Sequence, residues 1–243
     1  MNRTTFVFGV LACASLASAQ LQFQEGSGNF QDIAGLPGTI ELFIPFNGST
    51  VVTTSIGNDV FPAGDIKVSY GCTIASNVGA SEAVGAYETL PSPNLYDQKT
   101  AMAIIWDTPN PAVATTQFFF REFTNDPTDI YYIVQWNNVP MGGLGGTVTT
   151  QVRVNDVDDF RTNIFAVFSY QDVQDEGVEG GRFASIGYQS ASPEFPTVQW
   201  SFNQRNAVRN QGDLILTKIP APGSLGVLAL GALACRRRRA KTV

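Results

Sequence analysis

The chain has 243 residues, of which 44% are hydrophobic, with 15 Lys and Arg against 21 Asp and Glu. It contains no histidine, which excludes Ser-His-Asp triads, Cys-His pairs and His-ligated zinc. A mature domain of roughly 200 residues with this apolar content can bury a stable core without cross-links.

Residues 1–19 have the three parts of a secretory signal. Arg3 supplies the positive start, residues 6–16 are apolar, and Ala17-Ser18-Ala19 has the A-x-A form of a cleavage site. The apolar run is about half the roughly 20 residues that a spanning helix needs, so a removed signal is predicted rather than an anchor. Cleavage before Cys13, as in a lipoprotein, is the alternative, and it leaves a very short apolar run.

Residues 20–218 predict one all-β domain, because short β-rich runs alternate with Gly, Pro, Asn and Asp. The predicted strands are Thr39–Pro45, Val51–Ile56, Asp65–Tyr70, Ala101–Trp106, Thr116–Phe123, Ile130–Asn137, Thr147–Asn155, Asn163–Gln171, Phe183–Gln189, Val198–Phe202 and Asp213–Lys218. Thr147–Asn155 alternates valine with polar residues and predicts a half-exposed strand, whereas Ile130–Trp136 and Ile164–Tyr170 are apolar on both faces and predict central strands. The expected fold is an antiparallel β-sandwich of roughly 10–12 strands.

Asn155-Asp156-Val157-Asp158-Asp159 concentrates oxygen-bearing side chains. Calcium takes 6–8 oxygen ligands in flexible geometry, so Asp156, Asp158 and Asp159 are candidate ligands. The other interpretation is a hairpin turn, which Asn and Asp favour through their own backbone bonds. The segment lacks the glycine and the distal glutamate of an EF-hand loop, and this favours the turn.

Three further features have a structural and a functional interpretation. The tryptophans can line a sugar-binding face, but their places inside β-runs favour the core for Trp106 and Trp136, and less clearly for Trp200. Phe118-Phe119-Phe120 puts a ring on each face of its strand, which predicts burial on both sides or an interface. Cys72 is expected to be a small buried residue, although an exposed thiol can pair between chains. Paired carboxylates also leave glycoside hydrolysis open, because 21 acids guarantee candidate pairs.

Residues 219–243 form the third part of the chain. Pro220-Ala221-Pro222-Gly223 precedes an apolar run over 225–235, and Arg236, Arg237, Arg238 and Arg239 follow directly. Eleven helical residues rise only about 16 Å, roughly half the hydrocarbon thickness, so the segment predicts transient insertion in the inner membrane with its arginines on the cytoplasmic side. A buried terminal helix is the alternative, but the apolar run leaves no polar face to meet water.

Removal of residues 1–19 and 219–243 would change the net charge of the chain. They hold six of the 15 basic residues and none of the 21 acids, which leaves nine bases against 21 acids and a formal charge of −12. Such a surface repels phosphate backbones, so no nucleic-acid partner is expected.

The tail resembles the PEP-CTERM sorting signal: Pro-Ala-Pro at Pro220 to Pro222, a short hydrophobic helix and a terminal arginine cluster. The resemblance implies an exosortase-like processing enzyme that removes the tail and sends the protein to the cell surface or the exopolysaccharide matrix. Ala221 stands where that family usually has Glu, which leaves the processing enzyme open.

The middle of the chain resembles nidogen-like extracellular β-domains over roughly 30–189. The residues that carry the resemblance are Ile40–Phe46, Ile56–Asn58, Ala103–Asp107, Tyr131–Val139, Ile164–Val173 and Ala184–Gln189. The resemblance implies an adhesion or matrix module and supplies no catalytic residues.

These observations predict an exported, non-enzymatic protein with a structural or adhesive role. Its expected partners are the export machinery, the processing enzyme, and exopolysaccharide or other surface proteins. A carbohydrate-binding or carbohydrate-cleaving sandwich is the alternative, and calcium-dependent adhesion is a third hypothesis. No cofactor is expected apart from the calcium ion of that hypothesis.

Overall fold

Thirteen β-strands form two antiparallel sheets in a computed structural model of the chain. The structure describes residues 20–76, 88–96, 99–107, 115–141, 146–156, 163–173 and 184–219. The strands are β1 (Gln20–Ser27), β2 (Ile40–Glu41), β3 (Ser49–Thr54), β4 (Gly64–Ser69), β5 (Thr73–Ser76), β6 (Ala101–Trp106), β7 (Gln117–Phe123), β8 (Tyr131–Met141), β9 (Gly146–Asn155), β10 (Ile164–Asp172), β11 (Ser185–Gln189), β12 (Val198–Phe202) and β13 (Gly212–Ile219).

The seven-stranded sheet has the order β1-β13-β10-β9-β8-β7-β2, and the six-stranded sheet has the order β12-β11-β6-β5-β4-β3. This arrangement is consistent with the expected antiparallel β-sandwich, and no α-helix occurs among the described residues. β8 and β10 lie inside the seven-stranded sheet with neighbours on both sides, which confirms the prediction for the two runs that are apolar on both faces.

All eleven predicted strands are present, and Ala101–Trp106 and Val198–Phe202 have the predicted bounds. The prediction missed β1 and β5. It was wrong in length at Thr39–Pro45, where only Ile40–Glu41 forms ladder pairs with β7. The chain leaves that ladder before a turn in which Gly48 N–H bonds to the carbonyl of Pro45, so β propensity alone overstated the strand.

The core lies between the two sheets, where alternate residues of each strand point inward. On β9, Val148, Val152 and Val154 are buried in this core, as their alternation predicted. The prediction of a half-exposed strand was wrong, because no residue of β9 is exposed and Gln151 on its outer face is buried beneath the segment that joins β1 to β2. Hydrogen bonds also cross between the sheets. Trp136 Nε1 donates to the carbonyl of Ser69 at 2.8 Å, and the Tyr170 hydroxyl donates to the carbonyl of Ile104 at 2.8 Å. Buried polar atoms of aromatic residues therefore fix how the sheets lie against each other.

The outer faces of both sheets carry smaller apolar clusters. Loop 88–96 packs Leu95 and Tyr96 against Trp106 on the six-stranded sheet. On the other sheet, Ile33 packs against Phe119. Each sheet therefore buries side chains on two faces, which explains why several strands lack a clean alternation.

Candidate functional site

Residues 28–39 cross the outer face of the seven-stranded sheet, and we call this segment the strap. It joins β1 to β2, which are the opposite edge strands of that sheet. A segment without a ladder must find other partners for its buried backbone groups. Three buried polar side chains on the outer face supply them: Gln135 on β8, Gln151 on β9 and Asp213 on β13.

Two of these side chains hold the first part of the strap. Asp213 Oδ2 accepts a hydrogen bond from the backbone N–H of Asn29 at 3.0 Å. With its amide oriented to satisfy both groups, Gln151 donates to the carbonyl of Gln31 at 2.9 Å and accepts from the N–H of Gln31 at 3.1 Å. The glutamine amide therefore satisfies both backbone groups of Gln31, as the backbone of a neighbouring strand would.

Gln135 holds the middle of the strap and is fully buried. Its Oε1 accepts from the N–H of Ile33 at 2.9 Å, and its Nε2 donates to Asp32 Oδ1 at 2.7 Å. These bonds place Ile33 against Phe119, where apolar packing completes the attachment. The sequence prediction missed these anchors, although Gln135, a glutamine inside the otherwise apolar run Ile130–Trp136, was a usable signal.

Beside the strap the sheet forms a cavity of about 370 Å³, which we call the outer groove. Its floor includes Ile164, Val167 and Ile215, three half-buried side chains on the outer face of β10 and β13. Its polar lining consists of Asn29, Gln31, Thr128, Asp129, Gln151, Arg153, Asn155, Asp156, Ser169 and Asp213. An apolar floor with convergent polar groups is the usual composition of a small-molecule site.

Two stacked aromatic rings between two cations run from the outer face of β7 to the rim of this groove. Arg121 lies 4.6 Å from the centre of the Phe123 ring, and the rings of Phe123 and Tyr131 stack with centroids 4.5 Å apart. The guanidinium of Arg153 then lies 3.6 Å from the centre of Tyr131. Such stacking restricts Arg153 to one position at the groove.

Two hydrogen bonds complete the restraint on Arg153. Its Nε donates to Asn155 Oδ1 at 2.7 Å, and its NH2 group forms an ion pair with Asp129. The side chain of Arg153 is still 30% exposed, so its guanidinium is both oriented and accessible. A group held in this way loses little entropy when a ligand binds.

Asp213 is the most unusual titratable group at the groove. The residue is 4% exposed, and its Oδ1 is the one buried carboxylate oxygen among the described residues that lacks a hydrogen-bond partner. Burial raises the pKa of Asp213, against the opposing effects of the Ser169 hydroxyl and the Asn29 N–H. Ser169 is its cross-strand neighbour on β10, but its hydroxyl does not complete a bond to Oδ1.

The raised pKa predicts a pH-dependent stability difference between the wild type and Asp213→Asn. Below the pKa of Asp213 in the unfolded chain, the folded and unfolded states both hold the proton. Protonated Asp213 then makes its full contribution to the free energy of unfolding. As the pH rises through the higher folded-state pKa, the buried group must ionise and this contribution is lost. The wild type should therefore lose stability relative to Asp213→Asn across that interval.

Urea unfolding from pH 3.5 to 7.5 measures this difference, because the effects of the other carboxylates cancel between the two proteins. Asp59→Asn, at an exposed carboxylate, is the matched control. If the stability of the wild type relative to Asp213→Asn stays constant, or increases, as the pH rises, the role assigned to Asp213 is contradicted.

A second surface feature lies at one side of the sandwich, and we call it the apolar edge. It consists of Ile40, Phe43, Phe46 and Val51, which are the exposed large hydrophobic residues among those described. Phe43 is 86% exposed. The four lie on β2, β3 and their connection, and these two strands are edge strands of the two sheets. Exposed apolar side chains along open strand edges are typical of an interaction surface.

Acidic side chains in several parts of the fold hold loops or strand ends. Glu122 accepts from the hydroxyl of Thr54 at 2.6 Å, and Asp65 accepts from that of Thr53 at 2.5 Å. Similar contacts are made by Asp32, Glu88, Asp126, Asp129 and Asp213. These carboxylates have structural partners, as expected of groups that position loops.

The predicted calcium segment is only partly within the described residues. Asn155 closes the β9–β10 connection, because its Nδ2 donates to the carbonyl of Ile164 at 3.1 Å. Asp156 lines the outer groove, and its N–H donates to the carbonyl of Ile130 at 2.9 Å. Asp158 and Asp159 lie outside the described residues. Within the part of the chain that the structure describes, no group of three or more His, Cys, Asp or Glu is suited to a metal ion.

The other candidates lie where the structural interpretation put them. Trp106 and Trp136 are buried, while Trp200 is half-buried, packs against the core and donates from Nε1 to the carbonyl of Ala207 at 2.8 Å. Phe118–Phe120 is buried on both faces of β7. Cys72 is fully buried, and burial raises the pKa of its thiol well above the ordinary value. It is therefore not presented for pairing between chains.

The predicted signal at 1–19, with Ala17 and Ala19, lies outside the described residues. So does the predicted tail at 219–243, with Pro220–Gly223 and Arg236–Arg239, apart from Ile219, which is the last residue of β13. Among the residues that are described, no helix is long and apolar enough to cross a membrane. In comparisons with protein families, curated proteins and solved structures, the chain matched none of them.

Proposed function

We propose that the chain is an exported protein of the cell surface or extracellular matrix with an adhesive, non-enzymatic role. The observation that carries the adhesive part is the apolar edge, where Ile40, Phe43, Phe46 and Val51 are all exposed on edge strands or their connection. Removing apolar surface from water is favourable by about 25 cal/mol of free energy for each Å². A partner that covers these side chains is therefore stabilised on the edge.

The strand edges support the same proposal. β3 runs Ser49–Thr54 without a charged residue or a proline, and it is the last strand of its sheet. Natural proteins usually protect such edges with charges, prolines or bulges, because an open edge can pair with another chain. An unprotected edge beside exposed aromatic rings fits a protein that works by attachment.

The non-enzymatic part is supported by the described carboxylates. Glu122 and Asp65 hold strand ends, Asp129 holds Arg153, and Asp213 holds the strap. With histidine absent from the chain, carboxylates are the natural candidates for acid–base chemistry. Their structural engagement favours binding over catalysis.

The proposed cellular location rests on the two ends of the chain. Residues 1–19 have the form of an export signal, and Pro220–Gly223 with Arg236–Arg239 resembles the PEP-CTERM sorting tail. The nidogen-like resemblance of the middle region agrees with an extracellular location. We propose that an exosortase-like enzyme processes the tail while the apolar run is held in the inner membrane.

One experiment tests the cellular location and the adhesive surface together. Cells producing the full chain, or its Phe43→Ser variant, are fractionated, and the protein is quantified and its termini identified by mass spectrometry. The mature protein should begin near Gln20, lack the tail and collect in the surface or matrix fraction. Phe43→Ser should shift most of the protein to the medium, because the most exposed ring of the edge is lost.

Phe30→Ser, the same change on a half-buried ring of the strap, is the matched control and should keep the wild-type distribution. Recovery of a tail intact through Val243 would contradict sorting and cleavage. An unchanged distribution of Phe43→Ser would contradict adhesion through the apolar edge. Release of sugar from polysaccharides by the purified protein would contradict a non-enzymatic role.

A further inference from the structure

We propose that the outer groove binds a short neutral saccharide. This inference deepens the proposed adhesive function by adding a ligand class on a surface distinct from the apolar edge. The volume of the outer groove, about 370 Å³, lies near the lower end of the range of about 300–1,000 Å³ that small-molecule sites occupy.

The floor of the groove suits the apolar face of a sugar ring. Ile164, Val167 and Ile215 are half-buried on the outer face, where the strap leaves them uncovered. Gln151, on the neighbouring strand β9, is instead engaged by the strap through both backbone groups of Gln31. An apolar floor inside a polar rim favours a ligand that has both kinds of surface.

The rim supplies oriented hydrogen-bonding groups. Arg153 is held by the Tyr131 ring, by Asn155 and by Asp129, yet its side chain is 30% exposed. Guanidinium groups only donate, and carboxylates such as Asp156 only accept. Sugar hydroxyls do both, so a polyhydroxyl ligand can pair with each side of the rim.

The charges of the rim select among ligands with hydroxyl groups. Three carboxylates, Asp129, Asp156 and Asp213, face one guanidinium, that of Arg153, which leaves an excess of negative charge. An acidic saccharide is therefore repelled. Within the described residues no group of three or more His, Cys, Asp or Glu is suited to a metal ion. Asp129 is already paired with Arg153, so the groove offers separate donors and acceptors to a neutral ligand, and binding of an organic cation is the competing outcome of the test.

Asp213 adds an independent indication of a donor from outside the chain. Its Oδ2 holds the strap, but its buried Oδ1 has no partner among the described residues. Buried polar atoms without partners are rare in folded proteins, and bound molecules are one source of the missing bond. A ligand hydroxyl at this wall of the groove can supply it after a small shift of the side chain.

The test uses protein purified from the producing cells and titrates it with maltose, cellobiose, lactose, mannobiose and chitobiose, followed by calorimetry and NMR. At least one should bind with a Kd in the micromolar to millimolar range. Val167→Glu, which puts a charge on the groove floor, should weaken that binding at least tenfold. Gln171→Glu adds the same charge to an exposed position four residues along β10 and should leave the Kd within twofold.

Tetragalacturonate and trilysine are the acidic and basic probes, and neither should bind. Failure of all five neutral sugars at 20 mM, or equal affinity of wild type and Val167→Glu, would overturn the inference. Preferred binding of trilysine would replace it with recognition of basic peptides. If Val167→Glu does not fold, NMR shifts of the wild type that map away from Ile215 and Arg153 overturn it instead. Phe43→Ser should bind sugar normally, so failure here is separable from failure at the apolar edge.

Discussion

Replacing Trp136 with alanine is expected to lower the free energy of unfolding by about 3–5 kcal/mol. The side chain is fully buried between the sheets, and its Nε1 donates across the core to the carbonyl of Ser69 at 2.8 Å. The substitution removes a large apolar volume from β8 and also leaves a buried carbonyl on the opposite sheet without its donor. Urea unfolding followed by circular dichroism measures the loss.

Trp200→Ala is the matched control, because the same residue type is only half-buried there. It should cost about 1–2 kcal/mol, in proportion to the smaller apolar area that it removes from water. Trp136→Phe keeps an aromatic ring but removes the donor and part of the buried volume, and it should cost about 1–3 kcal/mol, since it leaves the Ser69 carbonyl without this donor. Equal losses for Trp136→Ala and Trp200→Ala would show that Trp136 does not join the two sheets.

Replacing Gln135 with leucine is expected to release the middle of the strap and to cost about 2–4 kcal/mol. Leucine fills a similar volume but offers no acceptor for the N–H of Ile33, which Gln135 Oε1 receives at 2.9 Å. The bond from Nε2 to Asp32 is lost as well. A buried donor without a partner keeps its full desolvation penalty, so the strap should open locally more often.

Hydrogen exchange gives a readout that a general loss of packing would not reproduce. In Gln135→Leu the amide of Ile33 should exchange faster relative to amides in β9, because the opening is local. Gln117→Leu, at an exposed position on β7, should change stability by no more than about 0.5 kcal/mol. Uniform acceleration of all amides, or no change at Ile33, would contradict the anchoring role of Gln135.

The strands of this protein could be predicted because local patterns specify them. The alternation of valine with polar residues at Val148, Val152 and Val154 predicts one inward face independently of the rest of the chain. The same holds for the apolar runs of β8 and β10, which could be placed inside a sheet. β2 was overestimated because an edge strand ends where its partner stops pairing, and that depends on the fold of the whole chain.

The candidate sites could not be predicted in the same way. Gln135, Gln151 and Asp213 are separated by many residues, and only the order of strands in the sheet lines them up beneath the strap. Local sequence does not indicate that Asp213 is buried or that Arg153 lies on Tyr131. Cross-strand neighbours are set by register, which is a property of the assembled sheet.

The sequence by itself determined an all-β fold, the absence of histidine from any site and a net negative charge, since composition and short-range periodicity suffice for these. Only the tertiary structure decided that the first connection crosses a sheet as a strap, that a groove opens beside it, and that Phe43 stands in solvent. Those features depend on which distant strands become neighbours. Burial and hydrogen-bond partners exist only once the sheets have formed.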